Sequence, residues 1–164
     1  MASGDLLLNM PLKFEPLRKN RWVVRFPSDL GISEWMLQSA ARPSINQNSV
    51  EIPFINTSTY VVGRYKWEDL QVVFRDPIAP SASQALMEWI RLITESVTGR
   101  QGYAAGYKRD IEIEMLDPGG VSVQKWICKH AWISKSDFGS LAYNDEGLAD
   151  ITATLVMDYA VLAY

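Results

Sequence analysis

The clearest strand signal in this sequence is Ile151-Thr152-Ala153-Thr154-Leu155-Val156-Met157-Asp158-Tyr159. Its odd-numbered residues are apolar or aromatic, and its even-numbered residues are threonine, valine and aspartate. Alternation with a period of two residues is typical of a β-strand that is buried on one face. The stretch therefore predicts a half-buried strand over 151–159, with Ile151, Ala153 and Leu155 on the core side.

Strand patterns cover much of the remaining chain. They predict strands at 21–26, 35–41, 50–54, 57–62, 65–74, 111–115 and 121–133. Turn-forming residues at 44–49 and at Asp117-Pro118-Gly119-Gly120 predict that the chain reverses at both places. A hairpin is also expected where 57–62 continues through Gly63 into 65–74. The predicted fold class is therefore mainly β.

One α-helix is predicted, over residues 82–98. Apolar side chains recur there at spacings of three and four, the period of one helix face: Ala82, Ala85, Leu86, Trp89, Ile90, Ile93 and Val97. Ser81 and Gln84 have the spacing of a capping box at the start of the helix. Gly99 suits the left-handed conformation that commonly ends a helix.

The composition is that of one folded domain without a strong charge. The 164 residues are 48% apolar and 21% charged, close to the averages of about 45–50% and about 25% for soluble globular chains. The net charge is −3, so the chain has no excess of Lys and Arg with which to bind phosphate groups tightly. The apolar run 6–8 is too short for a signal peptide, and no stretch approaches the roughly 20 apolar residues of a membrane span.

Few residues are candidates for catalysis. Cys128 and His130, the only cysteine and the only histidine, lie two apart on a predicted strand, where their side chains would point in parallel from one face. A structural role is therefore favoured over a nucleophile and base, and two residues do not make a metal site. With one cysteine no intrachain disulfide can form, which fits a reducing compartment. We expect no enzyme activity, no cofactor and no metal.

A row of carboxylates marks one face of the strand predicted at 111–115. Asp110, Glu112 and Glu114 alternate with Ile111, Ile113 and Met115. No apolar pocket is evident that would raise a carboxylate pKa for acid–base catalysis. The acidic face is instead expected to be solvated or to face an aqueous channel.

The amount of strand-forming sequence, with one helix to cover it, favours self-assembly. Open sheet edges invite association, so such a chain must close its sheet or pair its edges with another copy. The segment 50–65 is predicted to be an extended hairpin that docks on a neighbouring subunit, because its apolar residues lack a covering partner. The candidate interface residues are Glu51, Pro53, Phe54, Ile55, Tyr60, Val61, Val62 and Tyr65.

An ordered series of motifs resembles a known family. Ala41-Arg42-Pro43 is followed by Glu51-Ile52-Pro53-Phe54, by the run from Lys66 to Phe74, by the capped helix, by Gly139-Ser140-Leu141-Ala142-Tyr143-Asn144 and by the strand 151–159. In this order and spacing, the segment 50–159 resembles the tail tube proteins of contractile-tailed bacteriophages. That family is related in fold to the tubes of type VI secretion and of bacteriocins.

The resemblance implies an architecture and a set of partners. It implies one tail-tube domain over 1–164, with two packed antiparallel sheets, one flanking helix, an N-terminal extension of about 1–20 and a short C-terminal tail, 160–164. Hexameric rings would stack into the inner tube of a virion tail assembled in the host cytoplasm. Its partners would be the tail sheath, baseplate, tail-terminator and tape measure proteins, with DNA passing through the lumen without tight binding. Asp110, Glu112 and Glu114 are candidates for the lumen wall.

Two other functions stay open at this point. The chain could form a secretion or bacteriocin tube, or be a baseplate protein that starts or caps such a tube. It could also be a monomeric β-barrel that binds a small ligand in its mouth.

Overall fold

The computed structural model describes residues 13–164, which form nine strands and two helices. The strands are β1 (Trp22–Arg25), β2 (Leu37–Ala40), β3 (Ile45–Phe54), β4 (Thr57–Trp67), β5 (Leu70–Arg75), β6 (Arg109–Leu116), β7 (Ser122–Asp137), β8 (Asp150–Val156) and β9 (Tyr159–Leu162). The helices are α1 (Ala82–Ile93) and the single turn α2 (Ala104–Tyr107). Two 3₁₀ turns, Ser28–Leu30 and Glu34–Met36, join β1 to β2.

Seven strands form one antiparallel sheet that bends at β7. The order is β1-β6-β7-β8-β5-β2, and β9 also pairs with β7. The first part of β7 pairs with β6 and β9, whereas its last part pairs with β8. His130 lies between the two parts with φ of 57°, and an irregularity of this kind bends a strand. The sheet is thereby divided into two halves.

Both halves line a single core. Val24, Ile111, Ile113 and Cys128 come from the first half, and Leu70, Val72, Phe74, Ile151 and Leu155 come from the second. Helix α1 adds its buried face of Ala82, Ala85, Leu86 and Trp89. Phe26 joins helix to sheet, because its ring centroid lies 5.9 Å from that of Phe74 and 6.3 Å from that of Trp89. The predicted mainly β fold, with two antiparallel layers and one flanking helix, is confirmed.

The start of α1 was predicted correctly and its end was not. Ser81 is the N-cap residue, and its hydroxyl accepts a hydrogen bond from the Gln84 backbone N–H at 3.3 Å. The helix ends at Ile93, five residues before the predicted end, because Thr94 adopts an extended conformation and bridges to Gln101. Val97, the last apolar residue of the predicted helix face, is 91% exposed in the turn that follows. Gly99, with φ of 70°, closes the turn that follows.

Three predictions about the strands need correction. Residues 45–49 belong to β3 and not to a turn, because they pair with β4 as far as Trp67. The hairpin is therefore β3–β4, which contains the segment 50–65 predicted to form a hairpin, and not 57–62 with 65–74. Trp35 lies in a 3₁₀ turn, so the strand predicted at 35–41 begins at Leu37.

The chain end is also organised differently from the prediction. The strand predicted at 151–159 divides at Met157 and Asp158, where the backbone N–H of Asp158 bonds to the carbonyl of Lys129. The predicted tail 160–164 is largely β9, whose Ala160 is buried opposite Cys128. At the other end, residues 13–20 are exposed and contain no helix or strand. The rest of the predicted N-terminal extension, including the run 6–8, lies outside the described residues.

Candidate assembly interface

The β3–β4 hairpin forms a separate two-stranded sheet. Every residue of β3 is exposed, and in β4 only Gly63 and Trp67 are partly buried. Ten residues of β3 span about 33 Å at roughly 3.3 Å per residue. An isolated two-stranded hairpin is marginally stable in water. The projecting β3–β4 hairpin is therefore the part of the molecule that most needs a covering partner.

Both faces of the hairpin carry exposed apolar side chains. Directly paired residues share a face, so Val50 with Val61, Ile52 with Thr59 and Phe54 with Thr57 form the first face. The second face contains the pairs Glu51 with Tyr60, Ser49 with Val62 and Gln47 with Tyr65. Phe54 is 70% exposed and Val62 69%. A partner that covers only one face would leave the other in water.

Two local features shape the hairpin. Ile55, at the tip, has φ of 53° and is 84% exposed. A left-handed conformation costs an L-residue roughly 1–2 kcal/mol, and it is unusual for a β-branched one. Lower down, a Cβ on Gly63 would lie 3.1 Å from Val50 Cγ2 and 3.2 Å from the Asn48 carbonyl oxygen. The register shifts at this point, and the glycine permits the close approach.

The structure places all eight predicted interface residues on this one hairpin. Glu51, Pro53, Phe54, Ile55, Tyr60, Val61, Val62 and Tyr65 are all exposed. The list left out Ile45, Val50 and Ile52, which are between 45% and 50% exposed. Their alternation with Phe54 along β3 could have identified Val50 and Ile52 as members of one face. Ile45 gave no such signal because 44–49 was interpreted as a turn.

Strand β9 offers a second surface suited to association. It pairs with β7 on one side and with no described strand on the other. Its residues are Tyr159-Ala160-Val161-Leu162, of which only Ala160 is buried. Edge strands that avoid pairing usually carry charges or proline. The outer side of β9 has neither.

The carboxylates of β6 do not form the open acidic face that was predicted. Lys129 Nζ lies 2.8 Å from Asp110 Oδ2, and Lys125 Nζ lies 3.0 Å from Glu112 Oε2. The hydrogen bond from Lys129 and that from the His130 backbone N–H lower the pKa of Asp110, although burial opposes them. The pKa of Lys125 is raised mainly by its hydrogen bond to Glu112. Pairing of β6 with β7 thus balances the row of acids with lysines.

Glu114 departs furthest from the prediction, because it is 4% exposed and not solvated. Its Oε1 lies 3.4 Å from Arg25 NH1 and 3.7 Å from Lys125 Nζ. Arg25 also pairs with Glu34, at 3.1 Å. Glu114 therefore joins β6 to both neighbouring strands as an ion-pair residue, which removes it from any open channel surface.

Cys128 and His130 do not share a face, contrary to the prediction. Cys128 is fully buried, and burial raises the pKa of its thiol to about 12. His130 lies on the surface because of the irregularity in β7, and its Nδ1 is 2.9 Å from Asp158 Oδ2. Lys108 Nζ contacts the same carboxylate at 3.1 Å. A thiol with that pKa is protonated near neutral pH, so the pair is not arranged for nucleophilic chemistry.

Two negative findings concern residues 13–164. No cluster of three His, Cys, Asp or Glu side chains is placed to hold a metal ion within this range. None of the helices described there combines the length and hydropathy needed to cross a membrane.

Several solved structures share the fold of this chain. The chain is similar to a protein in the tube-terminating cap of the anti-feeding prophage (TM-score 0.74, 18% identity, 94% of this chain and 95% of that one). It is also similar to a protein in the sheath-tube complex of the extracellular contractile injection system PVC (TM-score 0.71, 15% identity, 99% and 97%). Similarity to Hcp1 of Flavobacterium johnsoniae is weaker (TM-score 0.55, 8% identity, 87% and 94%). These similarities confirm the tube-type fold.

No protein-family model and no curated protein sequence matches the chain.

Proposed function

We propose that this chain is a structural subunit of the inner tube of a contractile particle. Copies join into rings, and rings stack. The observation that carries the proposal is the projecting β3–β4 hairpin, which has exposed apolar residues on both faces and no covering element. Such a surface is uncommon on a monomeric protein and usually marks an interface.

Sheet edges supply the contact within a ring. The apolar outer side of β9 leaves backbone N–H and C=O groups available for pairing with another copy. A contact between two different surfaces of identical copies is head-to-tail. It closes into a ring when the rotation that relates neighbouring copies is a whole fraction of a full turn. Pairing at β9 joins copies side by side, and the hairpin reaches the next ring.

The finer assignment follows from the sequence resemblance and the origin of the similar folds. A phage tail tube would form hexameric rings, lie inside a sheath between baseplate and terminator, contain a tape measure protein during assembly, and conduct DNA. Phage-derived injection particles are the alternative within the same class. The anti-feeding prophage cap favours a second candidate, in which the chain ends a tube instead of forming its length.

The outer face of β6 and β7 is a candidate for the channel wall. Asp110 and Glu112 lie there beside Lys129 and Lys125, whereas Glu114 is buried between Arg25 and Lys125 and does not reach the open surface. A wall with balanced charge would not hold a phosphate polyanion, because each unpaired cation would add a favourable contact that sliding must break. Electron microscopy of the assembled tube tests this: the proposal fails if the face points outward, or if the bore is strongly basic.

Assembly of the purified chain tests the main proposal. Negative-stain electron microscopy and light scattering should show rings or tubes as concentration rises, with added baseplates as a nucleus if the chain alone is slow. Phe54→Asp on the first hairpin face and Tyr60→Asp on the second should abolish stacking, because a charge on either face would be desolvated there. Both variants should remain folded by circular dichroism, since neither residue contributes to the core.

Val97→Asp is the matched control. Val97 is 91% exposed in the turn after α1 and is not part of the hairpin, so this variant should assemble like the parent chain. A homogeneous monomer at all concentrations, with or without baseplates, would refute the tube proposal. Single rings that never lengthen would favour the cap or terminator.

A further inference from the structure

The sheet is open between its two end strands. β1 and β2 terminate the strand order, and no backbone hydrogen bond joins them among the described residues. The Leu116 N–H donates a hydrogen bond to the Arg21 carbonyl. In an antiparallel pair, residues that bond to the partner strand alternate with residues that do not. The N–H and C=O groups of Trp22 and Val24 therefore face away from β6. The Ala41 N–H likewise donates to the Gln71 carbonyl, so the N–H and C=O groups of the preceding residue, Ala40, face away from β5.

A groove occupies this opening. One cavity of about 490 Å³ has an apolar floor that includes Trp22, Ile113 and Met115. A second cavity of about 450 Å³ lies beside Leu37. The two cavities are adjacent, because Lys19, Trp22 and Gln38 line both. We call the whole depression the β1–β2 groove.

The β1–β2 groove is electropositive. Lys19, Arg42 and Arg75 line it, and none of them forms an ion pair with a described residue. The single acidic residue in the lining is Glu34, which is already paired with Arg25. The groove therefore suits a segment that carries both apolar side chains and carboxylates.

The same chain exposes such a segment between β7 and β8. In the 138–149 loop, Leu141 is 95% exposed and Leu148 79%, and the Tyr143 side chain is fully exposed. Asp145 and Glu146 lie between these apolar residues, and no described cation pairs with either. The loop thus carries apolar side chains that match the apolar floor of the groove and carboxylates that complement its cations.

We infer that the 138–149 loop of one copy docks in the β1–β2 groove of a neighbouring copy. This rests on the proposed assembly and assigns one of its contacts. Leu141, Tyr143 and Leu148 cover the apolar floor, and Asp145 and Glu146 approach Lys19, Arg42 and Arg75. The two surfaces are unlike, so the contact is head-to-tail and each copy uses both, as a closed ring requires.

Charge reversal with rescue tests the contact in the full chain. Lys19→Glu with Arg42→Glu in the groove should weaken association, as should Asp145→Lys with Glu146→Lys in the loop. Each pair should raise the dissociation constant at least roughly tenfold, because like charges facing each other across an interface cost several kcal/mol. A chain with all four changes should recover most of the affinity. Arg91→Glu with Arg100→Glu makes the same change in net charge as the groove pair, at positions outside the groove, and should leave association unchanged.

The outcomes separate this contact from the proposed function. A parent chain that never associates overturns both. If the parent chain associates and the groove and loop variants associate equally well, the docking alone is overturned. The docking is also overturned if both pairs of changes weaken association equally and the four changes together do not restore it. As an independent check, mixing Ser39→Cys and Tyr143→Cys proteins should give a disulfide-linked heterodimer, since native Cys128 is buried. A third protein carries both Ser39→Cys and Tyr143→Cys in one chain. If a disulfide forms only within that chain, and not between the two single variants, the docking is also overturned.

Discussion

At the scale of single residues, Glu114 differs most between its sequence context and its place in the structure. It alternates with Ile113 and Met115 and follows two other acids, a pattern that indicates a solvated face. Its carboxylate is nevertheless buried against Arg25 and Lys125, at 3.4 and 3.7 Å. The cations come from strands on either side of β6, so strand order and not local sequence determines its burial.

Replacing Glu114 should therefore destabilise the monomer. Glu114→Ala leaves Arg25 and Lys125 close together without the buried carboxylate between them, and breaking this buried ion-pair network should cost about 1–3 kcal/mol. Glu112→Ala is the control, because its side chain is 37% exposed and pairs only with Lys125; its cost should be about 0–1 kcal/mol. Urea unfolding measures both, and equal costs would contradict the assigned role of Glu114.

At the scale of elements, the β3–β4 hairpin is the least supported part of the fold. It has a ten- and an eleven-residue strand, yet it contributes no residue to the buried core. Strands β5 and β8, by contrast, bury alternate residues completely or nearly so. Local stability follows packing, so elements with few buried contacts open at low free energy.

Hydrogen exchange should therefore distinguish the hairpin before and after assembly. In the monomer, amides of 45–67 should exchange much faster than those of β5 and β8, because the hairpin opens without unfolding the core. In assembled material, their exchange should slow toward the core rate. The Val97→Asp control should behave like the parent chain. Strong protection of the hairpin in a proven monomer would contradict its need for a partner.

At the scale of the whole molecule, two carboxylates bind side chains that lie between 19 and 50 residues away in the sequence. Asp110 on β6 accepts from Lys129 on β7, and Asp158 accepts from Lys108 and His130. The hydrogen bonds lower the pKa of Asp110 despite burial. For Asp158 burial raises the pKa, but the bonds from Lys108 and His130 outweigh it and the pKa is lowered overall.

These shifts predict loss of stability in acid. A carboxylate whose folded-state pKa lies below its ordinary value of 3.8 stabilises the fold above that pH. The stabilisation is lost as pH falls below 3.8 through the folded-state pKa. Asp110→Asn should reduce stability at pH 6 and make the decline below pH about 4 shallower. Unfolding midpoints across pH 2–6 test this, and a decline equal to that of the parent chain would show that Asp110 does not contribute.

The local pattern of the sequence was sufficient to predict most of the strands, the start of the helix and the exposure of the hairpin residues. Alternation identified the buried sides of β5, β6 and β8, and the Ser81 cap identified the start of α1, because these signals depend on residues within a turn or a strand. Phe54, Tyr60 and Val62 were expected to be exposed because their segment lacks a covering partner. Their exposure in the structure agrees, and their role in assembly stays a prediction.

The tertiary structure alone decided which elements meet and where charges cancel. Strand partners bring Lys125 and Lys129 beside the acids of β6, and this pairing across the sheet has no local signature. Residues 159–162 become β9 because they can pair with β7 and bury Ala160, although the sequence 160–164 is apolar throughout and shows no alternation. The β1–β2 groove exists because the two ends of the strand order approach without bonding. The ion pairs of β6, the position of β9 and the groove are all determined by contacts between residues far apart in the chain. A local sequence pattern does not encode such contacts.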